Sequence, residues 1–479
     1  MLLKQTLLYM PAQIVGPLFQ LIAMIVWTHI VNDHTLGVIT LVTATHELLQ
    51  IGFLAWWSQF VLRFFGRYDI GGTASRFYPT ENVILLVSVS AQSLLMVAML
   101  RCVIAPDADT ALSTAAICYV VTRSFNLYIA ERARVRQQIG IYSVQQIIGP
   151  SAGFIIGVLL IRWLGQRPEW PLAGYAIAQF VATIVVLPKL SFSFRFRPID
   201  RGIVRHALQY GLPLIIGGGL GWVGLNASRF IVNDMLGVAA AGLFAVGYGL
   251  GQRAAAVAAM LVTAAAFPLA VKRMEESGSE AAMKQLAQNS ALLVAILAPS
   301  VVGMFVLRTE IVTLLIAAPF QQATLAVLPL SVLAGAIRNL RAHFGDQVFL
   351  LHSRTRMMVA ISSIDAVITI LAGTVCVSLW GVVGGAIATV IAATAAAATS
   401  FAIGFRAFGL TLPGSHLLRI LLATTAMAIG LRLIPEATTY LMLAAQITFG
   451  AAIYGIVLAL LYAPMLSRTL RHRLSQSGA

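Results

Sequence analysis

Long apolar segments separated by short polar ones run along the whole chain. Fourteen are long enough to cross a bilayer as a helix, since the hydrocarbon core takes about 20 helical residues. Strands of a membrane barrel would instead alternate apolar and polar residues over about 10 positions. The pattern therefore predicts an all-α polytopic membrane protein with about 14 transmembrane helices. The predicted spans are 6–30, 36–62, 82–104, 111–130, 141–161, 172–188, 206–232, 238–269, 286–307, 323–350, 357–379, 381–405, 416–434 and 440–463.

The number of charged residues and their positions along the chain both support this prediction. Only 10% of the 479 residues are charged, against roughly 25% in soluble domains. Of the 32 Lys and Arg, 22 fall in the termini and loops on one side of the predicted membrane and five on the other. Positive loops face the cytoplasm, so both termini are predicted to be cytoplasmic. The net charge of +15 then reflects topology and contact with anionic membrane lipids, and no nucleic-acid partner is needed to explain it.

A short sequence occurs twice, as HIVNDHTLG at 29–37 and as FIVNDMLG at 230–237. A tyrosine and a proline precede both copies at similar distances: Tyr9 and Pro11, then Tyr210 and Pro213. Six predicted helices separate the copies, and because six is even, the halves keep one orientation and are related by a pseudo-two-fold axis along the membrane normal. Asn32-Asp33 and Asn233-Asp234 are predicted to close helices 1 and 7 on the outer face, as caps at corresponding corners of the two lobes or at most as part of an outer gate.

The repeat divides the chain into two lobes of six helices and an appendix. The predicted N-terminal lobe is 1–190, with helices 1 to 6, and a basic cytoplasmic linker follows at 191–205. The C-terminal lobe is 206–405, with helices 7 to 12, and 406–479 holds two extra helices and a basic cytoplasmic tail. Two lobes with a binding site between repeats are typical of alternating-access transporters.

The five arginines not counted on either side lie inside predicted helices, where a charge costs a few kcal/mol and is therefore a functional hypothesis by default. Arg253 lies about halfway along helix 8, which favours a polar cavity. Arg338 and Arg341 share one face of helix 10, and their mutual repulsion favours an anion or water between them. Arg229 and Arg123 lie nearer helix ends, so both cavity lining and snorkelling to the interface remain open.

Three acidic residues also lie within predicted spans, and one of them, Asp346, is near enough to the inner end of helix 10 to be a solvated partner of the arginines there. The other two are Glu47 on helix 2 and Asp365 on helix 11. Each is either a protonatable site for proton or sodium coupling or a neutral carboxyl group hydrogen-bonded between helices. The sequence contains no Cys/His cluster for a metal, no cofactor motif and no catalytic signature. We therefore expect no metal, no cofactor and no enzymatic activity.

Two stretches resemble the Wzx-type polysaccharide flippases of the multidrug/oligosaccharidyl-lipid/polysaccharide exporter superfamily. They are residues 210–253, YGLPLIIGGGLGWVGLNASRFIVNDMLGVAAAGLFAVGYGLGQR, and 128–153, YIAERARVRQQIGIYSVQQIIGPSAG. One departure is Ser228, where such proteins often carry an acidic residue before the arginine matching Arg229.

The resemblance implies a multi-pass protein of the bacterial inner membrane that flips a polyprenyl-pyrophosphate-linked oligosaccharide from the cytoplasmic to the periplasmic leaflet. The polymer would be an exopolysaccharide, a capsule or an O-antigen, and the implied partners are membrane lipids, a polysaccharide polymerase and a chain-length regulator. A cationic cavity agrees with this substrate, because arginine forks hold phosphate oxygens.

Three alternative functions remain. A flippase of lipid II, the peptidoglycan precursor, carries basic residues inside its first helix, whereas 8–28 has none here. An O-antigen polymerase or ligase, a membrane glycosyltransferase, needs a large outer loop, and the longest predicted one, 162–171, has about ten residues. A drug or cation antiporter of the same superfamily needs twelve helices and an acidic site.

Overall fold

The computed structural model describes residues 16–477, apart from residue 17 and the segments 71–73 and 190–198. Every regular element within these residues is helical. Ten described helices are long and apolar enough to cross a membrane. The prediction of an all-α multi-pass membrane protein with about fourteen helices is therefore confirmed.

Seven long helices precede residue 237. They are α1 (Leu18–Ile30), α2 (Asp33–Gln50, a π-helical turn at Ile51–Ala55, then Trp56–Ile70), α3 (Ala74–Met99, then a π-helical turn at Leu100–Ile104), α4 (Thr110–Val135), α5 (Ile139–Leu164), α6 (Glu169–Val186) and α7 (Arg201–Leu236).

Seven more follow. They are α8 and α9, which form Val238–Val306 and meet at Gly278; α10 (Ala318–Leu340, continued by a π-helical turn at Arg341–Gly345 and by Asp346–Leu351); α11 and α12, which form Thr355–Phe408 and meet at Gly381; α13 (Gly414–Arg432); and α14 (Tyr440–Ser477). A short helix, Arg308–Leu315, lies between α9 and α10.

Single glycines make two of the helix boundaries. Gly278 has φ +79° and Gly381 has φ +56°, a region that costs a residue with a Cβ atom but not glycine. One residue therefore suffices to end one helix and begin the next.

The chain forms two compact units. The first is Met1–Val246 with Ser362–Ala392, and the second is Gly247–Ile361 with Ala393–Ala479. This division by packing does not follow the predicted lobe boundaries at 190 and 206, and the lobes stay a prediction.

Helix α3 begins at Ala74, two turns before the predicted start at residue 82. The sequence there is polar, and its side chains at Thr80, Glu81 and Asn82 are buried. Glu81 lies within the fold because Tyr128 and Arg132 of α4 supply its hydrogen-bond partners, and hydropathy cannot detect such a pairing.

The two copies of the repeated sequence have different local roles. Asn32 is the N-cap of α2, and its side chain accepts a hydrogen bond from the Thr35 backbone N–H at 2.8 Å. Asn32 is therefore a helix cap, but it begins α2 and does not close helix 1 as predicted. Asn233 differs, because it lies inside α7 and donates its side-chain amide to the Val103 carbonyl at 2.8 Å.

The starts of α2 and α8 touch backbone to backbone. A Cβ atom at Gly37 would collide with the Val238 carbonyl, and one at Gly242 would collide with the Asp33 carbonyl. Val238 directly follows Gly237, the predicted counterpart of Gly37. We call this pair of contacts the glycine corner.

Candidate functional site

Three helices of the first unit line a cavity of about 500 Å³, which we call the α2–α4–α7 cavity. Its lining is mixed, with charged, amide, aromatic and aliphatic groups. The lining residues are His46, Glu47, Gln50 and Ile51 on α2, Tyr119, Arg123 and Leu127 on α4, and Gly218, Gly221, Trp222, Leu225 and Asn226 on α7.

Helical spacing explains why these positions meet. On α2 the lining pair His46 and Gln50 is four residues apart, and on α4 the series Tyr119, Arg123 and Leu127 repeats every four. Side chains three or four residues apart share one face of a helix. Each helix therefore presents one stripe to the cavity.

His46 is held in the wall by a chain of polar contacts. Its side chain is buried, and its Nε2 atom lies 3.0 Å from the Ser124 hydroxyl oxygen. Ser124 in turn donates its hydroxyl to the Gln92 amide oxygen at 3.0 Å. The ring also packs edge-on against Tyr119, with centroids 5.5 Å apart. These contacts join α2, α3 and α4 behind the cavity.

The α7 wall combines an anchored tryptophan with empty volume. Trp222 donates its indole N–H to the Ala44 carbonyl at 3.0 Å, which ties α7 to α2. At Gly221 a Cβ atom would find no other group within 4 Å. The missing side chain therefore leaves room in the cavity, although the glycine-rich run is regular helix.

The cavity brings together two of the residues predicted from the sequence. Arg123 is half-buried and Glu47 is exposed, and both line the cavity. A candidate phosphate-binding residue and a candidate coupling residue thus share one site.

Two other predicted residues lie in the first unit but outside this lining. Arg229 is half-buried and donates to the Thr40 backbone carbonyl at 3.4 Å. Asp365 is 4% exposed and packs on α7 where Gly224 leaves space, since a Cβ atom there would lie 3.2 Å from the carboxylate carbon. Thr369 donates to the Asp365 carboxylate at 3.5 Å.

The remaining three arginines belong to the second unit. Arg253 is half-buried on α8. Arg338 is 7% exposed and donates to the Tyr248 hydroxyl at 3.4 Å. Arg341 lies in the π-helical turn of α10, with its Nε atom 3.4 Å from the Asp346 carboxylate. Their assignment to a substrate site stays a prediction.

Asp346 is buried, so the prediction of a solvated partner near the inner end of the helix is wrong. It is 4% exposed and accepts a hydrogen bond from the Ser400 hydroxyl at 2.7 Å. Arg338 and Arg341 therefore each have a contact of their own within the second unit, which lessens the need for an anion between them.

Sequence analysis missed a fully buried ion pair, Glu81–Arg132. The two groups lie 2.7 Å apart with no exposed side-chain surface. Tyr128 donates its hydroxyl to the same carboxylate, and Trp57 donates to Tyr128 at 3.2 Å. We call these four residues the Glu81 network. The predicted span 111–130 ends before Arg132 and places it in a cytoplasmic loop, whereas α4 continues to Val135.

The chemistry of the α2–α4–α7 cavity suits an anionic ligand rich in hydroxyl groups. An arginine guanidinium binds phosphate oxygens through paired N–H donors. Amide and phenol side chains both donate and accept hydrogen bonds, as sugar hydroxyls require. Gln50, Tyr119 and Asn226 bring these groups to the same lining as Arg123.

Comparisons with known proteins agree with the fold. Residues 2–274 match the model of a family described as polysaccharide biosynthesis protein. No curated protein sequence matches the chain.

Among solved structures, the chain is similar to the lipid II flippase MurJ in an inward closed conformation, with a TM-score of 0.76 and 13% identity over 96% of this chain and 100% of that one. It is also similar to an inward-facing multidrug resistance MATE family transporter of the MOP superfamily, with a TM-score of 0.58 and 17% identity over 82% of this chain and 95% of that one. A third similar structure is a MOP superfamily transporter from Pyrococcus furiosus, with a TM-score of 0.53 and 15% identity over 85% of this chain and 95% of that one. The fold predicted from the resemblance is confirmed.

Proposed function

We propose that this chain, which belongs to the polysaccharide biosynthesis protein family, flips a polyprenyl-pyrophosphate-linked oligosaccharide across the bacterial inner membrane. The direction is from the cytoplasmic to the periplasmic leaflet, by alternating access, for exopolysaccharide, capsule or O-antigen biosynthesis. The chain acts as a transporter and not as an enzyme, and it needs no bound cofactor.

The α2–α4–α7 cavity is the observation that carries this proposal. A cavity of about 500 Å³ with charged and amide groups in its lining lies between α4 and two helices apolar enough to cross a membrane, α2 and α7. Polar groups within a membrane span are costly and mark substrate pathways. Arg123 would hold pyrophosphate oxygens, the amide and phenol groups would bind sugar hydroxyls, and the polyprenyl tail would stay in lipid.

The predicted arginines of the second unit enter the proposal as additional phosphate-binding groups. Arg253, Arg338 and Arg341 would bind the head group at another stage of the transport cycle, with Arg229 at the margin. A polysaccharide polymerase and a chain-length regulator are the proposed partners, and copurification from the native membrane tests that part.

Deletion of the gene in its bacterial host tests the substrate class. We expect loss of one surface polysaccharide and accumulation of its lipid-linked repeat unit in the cytoplasmic leaflet, both reversed by a plasmid copy. Normal polysaccharide export after deletion, in a host without a second exporter, would contradict the proposal.

Lipid II is the second candidate substrate, favoured by the similarity to a lipid II flippase over 96% of this chain. Absence of basic residues from 8–28 counts against it. Depletion distinguishes the two, because a lipid II flippase leaves the cell with arrested peptidoglycan synthesis and lysis, whereas an oligosaccharide flippase leaves peptidoglycan intact.

Filling the cavity tests where the substrate binds. In Gly221→Leu the new side chain enters the cavity, so we expect severalfold lower export at unchanged protein level. Gly219→Leu is the matched control, since Gly219 also has open space at its Cβ position but does not line the cavity. Equal export by both variants would remove this cavity from the transport route.

Coupling to a proton or sodium gradient is proposed for Glu47, whose carboxyl group lines the same cavity as Arg123. Asp365 is the less favoured site, because it is buried beside Gly224. Transport into vesicles, measured after collapse of each gradient in turn, tests this. Glu47→Gln should remove the dependence on the coupling ion, and a retained dependence would exclude Glu47.

A further inference from the structure

A second cavity of the first unit, of about 550 Å³, lies beside the first three turns of α7. It shares no lining residue with the α2–α4–α7 cavity. Its walls are formed by α2, α3 and α7. The lining residues are Trp56, Val83, Ile84, Val87, Ser88, Ile199, Arg201, Val204, Arg205, Leu208, Gln209 and Leu212. We call it the α3–α7 groove.

The groove is lined by basic side chains at one end and by apolar side chains along the rest of its length. Arg201, Arg205, Leu208 and Leu212 follow one another at helical spacing and form one stripe on α7. The two arginines occupy the first turns of the helix, and the two leucines continue the stripe deeper along it. Val87 faces them from α3 and is 60% exposed.

The opposite face of α7 is used for packing. Ile203 and Ala207 are buried in an aromatic cluster with α2, and Gly211 lies against the Trp56 backbone. Among the described residues of this unit, the stripe that lines the groove is therefore the exposed face of α7.

Charge at the groove's end is positive. Asp200 caps α7 by accepting hydrogen bonds from the Gly202 and Ile203 backbone N–H groups, and its carboxylate lies 3.9 Å from Arg76. With Arg76 opposite Asp200, Arg201 and Arg205 leave a local charge of about two positive units. The N-terminus of a long helix adds further positive potential.

We propose that the α3–α7 groove is a binding site for an anionic phospholipid of the surrounding membrane. The lipid phosphate would lie against Arg201 and Arg205, and one acyl chain would follow Leu208, Leu212 and Val87. A bound lipid of this kind is a resident of the protein and not its cargo, because the groove and the α2–α4–α7 cavity have separate linings.

Native mass spectrometry of the full-length protein tests the site, with phosphatidylglycerol, phosphatidylethanolamine and undecaprenyl phosphate as probes. We expect retention of phosphatidylglycerol above phosphatidylethanolamine. Basic residues at an anionic lipid surface each contribute about fivefold in affinity, so Arg201→Gln/Arg205→Gln should weaken phosphatidylglycerol binding roughly thirtyfold. Arg354→Gln/Arg356→Gln, an exposed basic pair in the second unit, is the charge-matched control and should bind as the unmodified protein does.

A second variant tests the apolar part separately. Leu212→Trp places a bulky ring on the exposed part of the stripe and should reduce retention of phosphatidylglycerol without a change in charge. Unchanged binding in both groove variants would overturn the proposal, as would an equal loss in the control pair. Preferential retention of phosphatidylethanolamine or of undecaprenyl phosphate would show that the occupant is a different lipid.

Discussion

Arg123 and Arg132 lie nine residues apart on the same helix, α4, yet their surroundings differ in kind. Arg132 has a carboxylate at 2.7 Å and no exposed side-chain surface. Arg123 is half-buried and lines the α2–α4–α7 cavity. One charge is neutralised by a neighbouring helix, and the other faces volume that a ligand can enter. An arginine within a membrane span is thus a functional candidate only where the adjacent helices leave space beside it.

The largest effect on stability is expected from breaking the Glu81 network. Arg132→Met leaves the Glu81 carboxylate buried without its cation, and removal of one partner of a buried ion pair costs about 3–5 kcal/mol. Unfolding in detergent, followed by circular dichroism against temperature or denaturant, measures this.

The double variant Glu81→Gln/Arg132→Met is the control for that experiment. It removes both charges while a side-chain oxygen still accepts from Tyr128, so most of the stability should return. A double variant as unstable as the single one would mean that Arg132 acts through its packing against Phe65 and Tyr78 and not through charge.

The second effect is on transport and not on stability. Arg123→Gln removes the proposed phosphate contact, and a charged hydrogen bond contributes about 1.5–3 kcal/mol, so export should fall roughly tenfold to a hundredfold. Polysaccharide export at matched protein level is the measurement. Export by Arg123→Lys should lie between that of the unmodified protein and that of Arg123→Gln, because lysine keeps the charge but lacks the planar guanidinium group. A drop in melting temperature as large as that of Arg132→Met would erase the contrast between the two arginines.

The smallest effect is expected on stability, from substitution of Asp109 at the exposed start of α4. The Asp109 carboxylate accepts a hydrogen bond from the Leu112 backbone N–H and pairs with Arg167, and both contacts hold the pKa of Asp109 below its usual range. A lowered pKa stabilises the folded state above the unfolded value of about 3.9, and this contribution is lost as pH falls through the folded pKa.

Comparison of Asp109→Ala with the unmodified protein at two pH values tests that contribution. The variant should melt about 1–2 °C lower at neutral pH, and the difference should shrink as pH falls below the unfolded value of about 3.9. A difference that is the same at both pH values would assign the effect to loss of the helix cap alone.

Hydropathy predicted the helices well because bilayer thickness fixes their length, and the charge pattern of the loops agreed with it. It could not predict the early start of α3, since Glu81 is polar in sequence and acquires its partner only when α4 packs beside it. For the same reason Arg132 was assigned to a loop.

The candidate site was predictable in part. Glu47 and Arg123 were identified because charges are rare in apolar spans. Tyr119, Trp222 and Asn226 were not, because their role depends on which helices meet. His46 and Ser124, in contact at 3.0 Å, lie 78 residues apart in the chain, and no periodicity within either helix specifies that pairing.

The glycine corner has a consequence for sequence divergence. Neither Gly37 nor Gly242 lines either of the cavities described above, so selection on the substrate does not act on them directly. Even alanine at either position would force the starts of α2 and α8 apart. Among relatives whose substrates have diverged, these two positions should therefore vary least, and random mutagenesis followed by sequencing of functional clones should recover almost only glycine there.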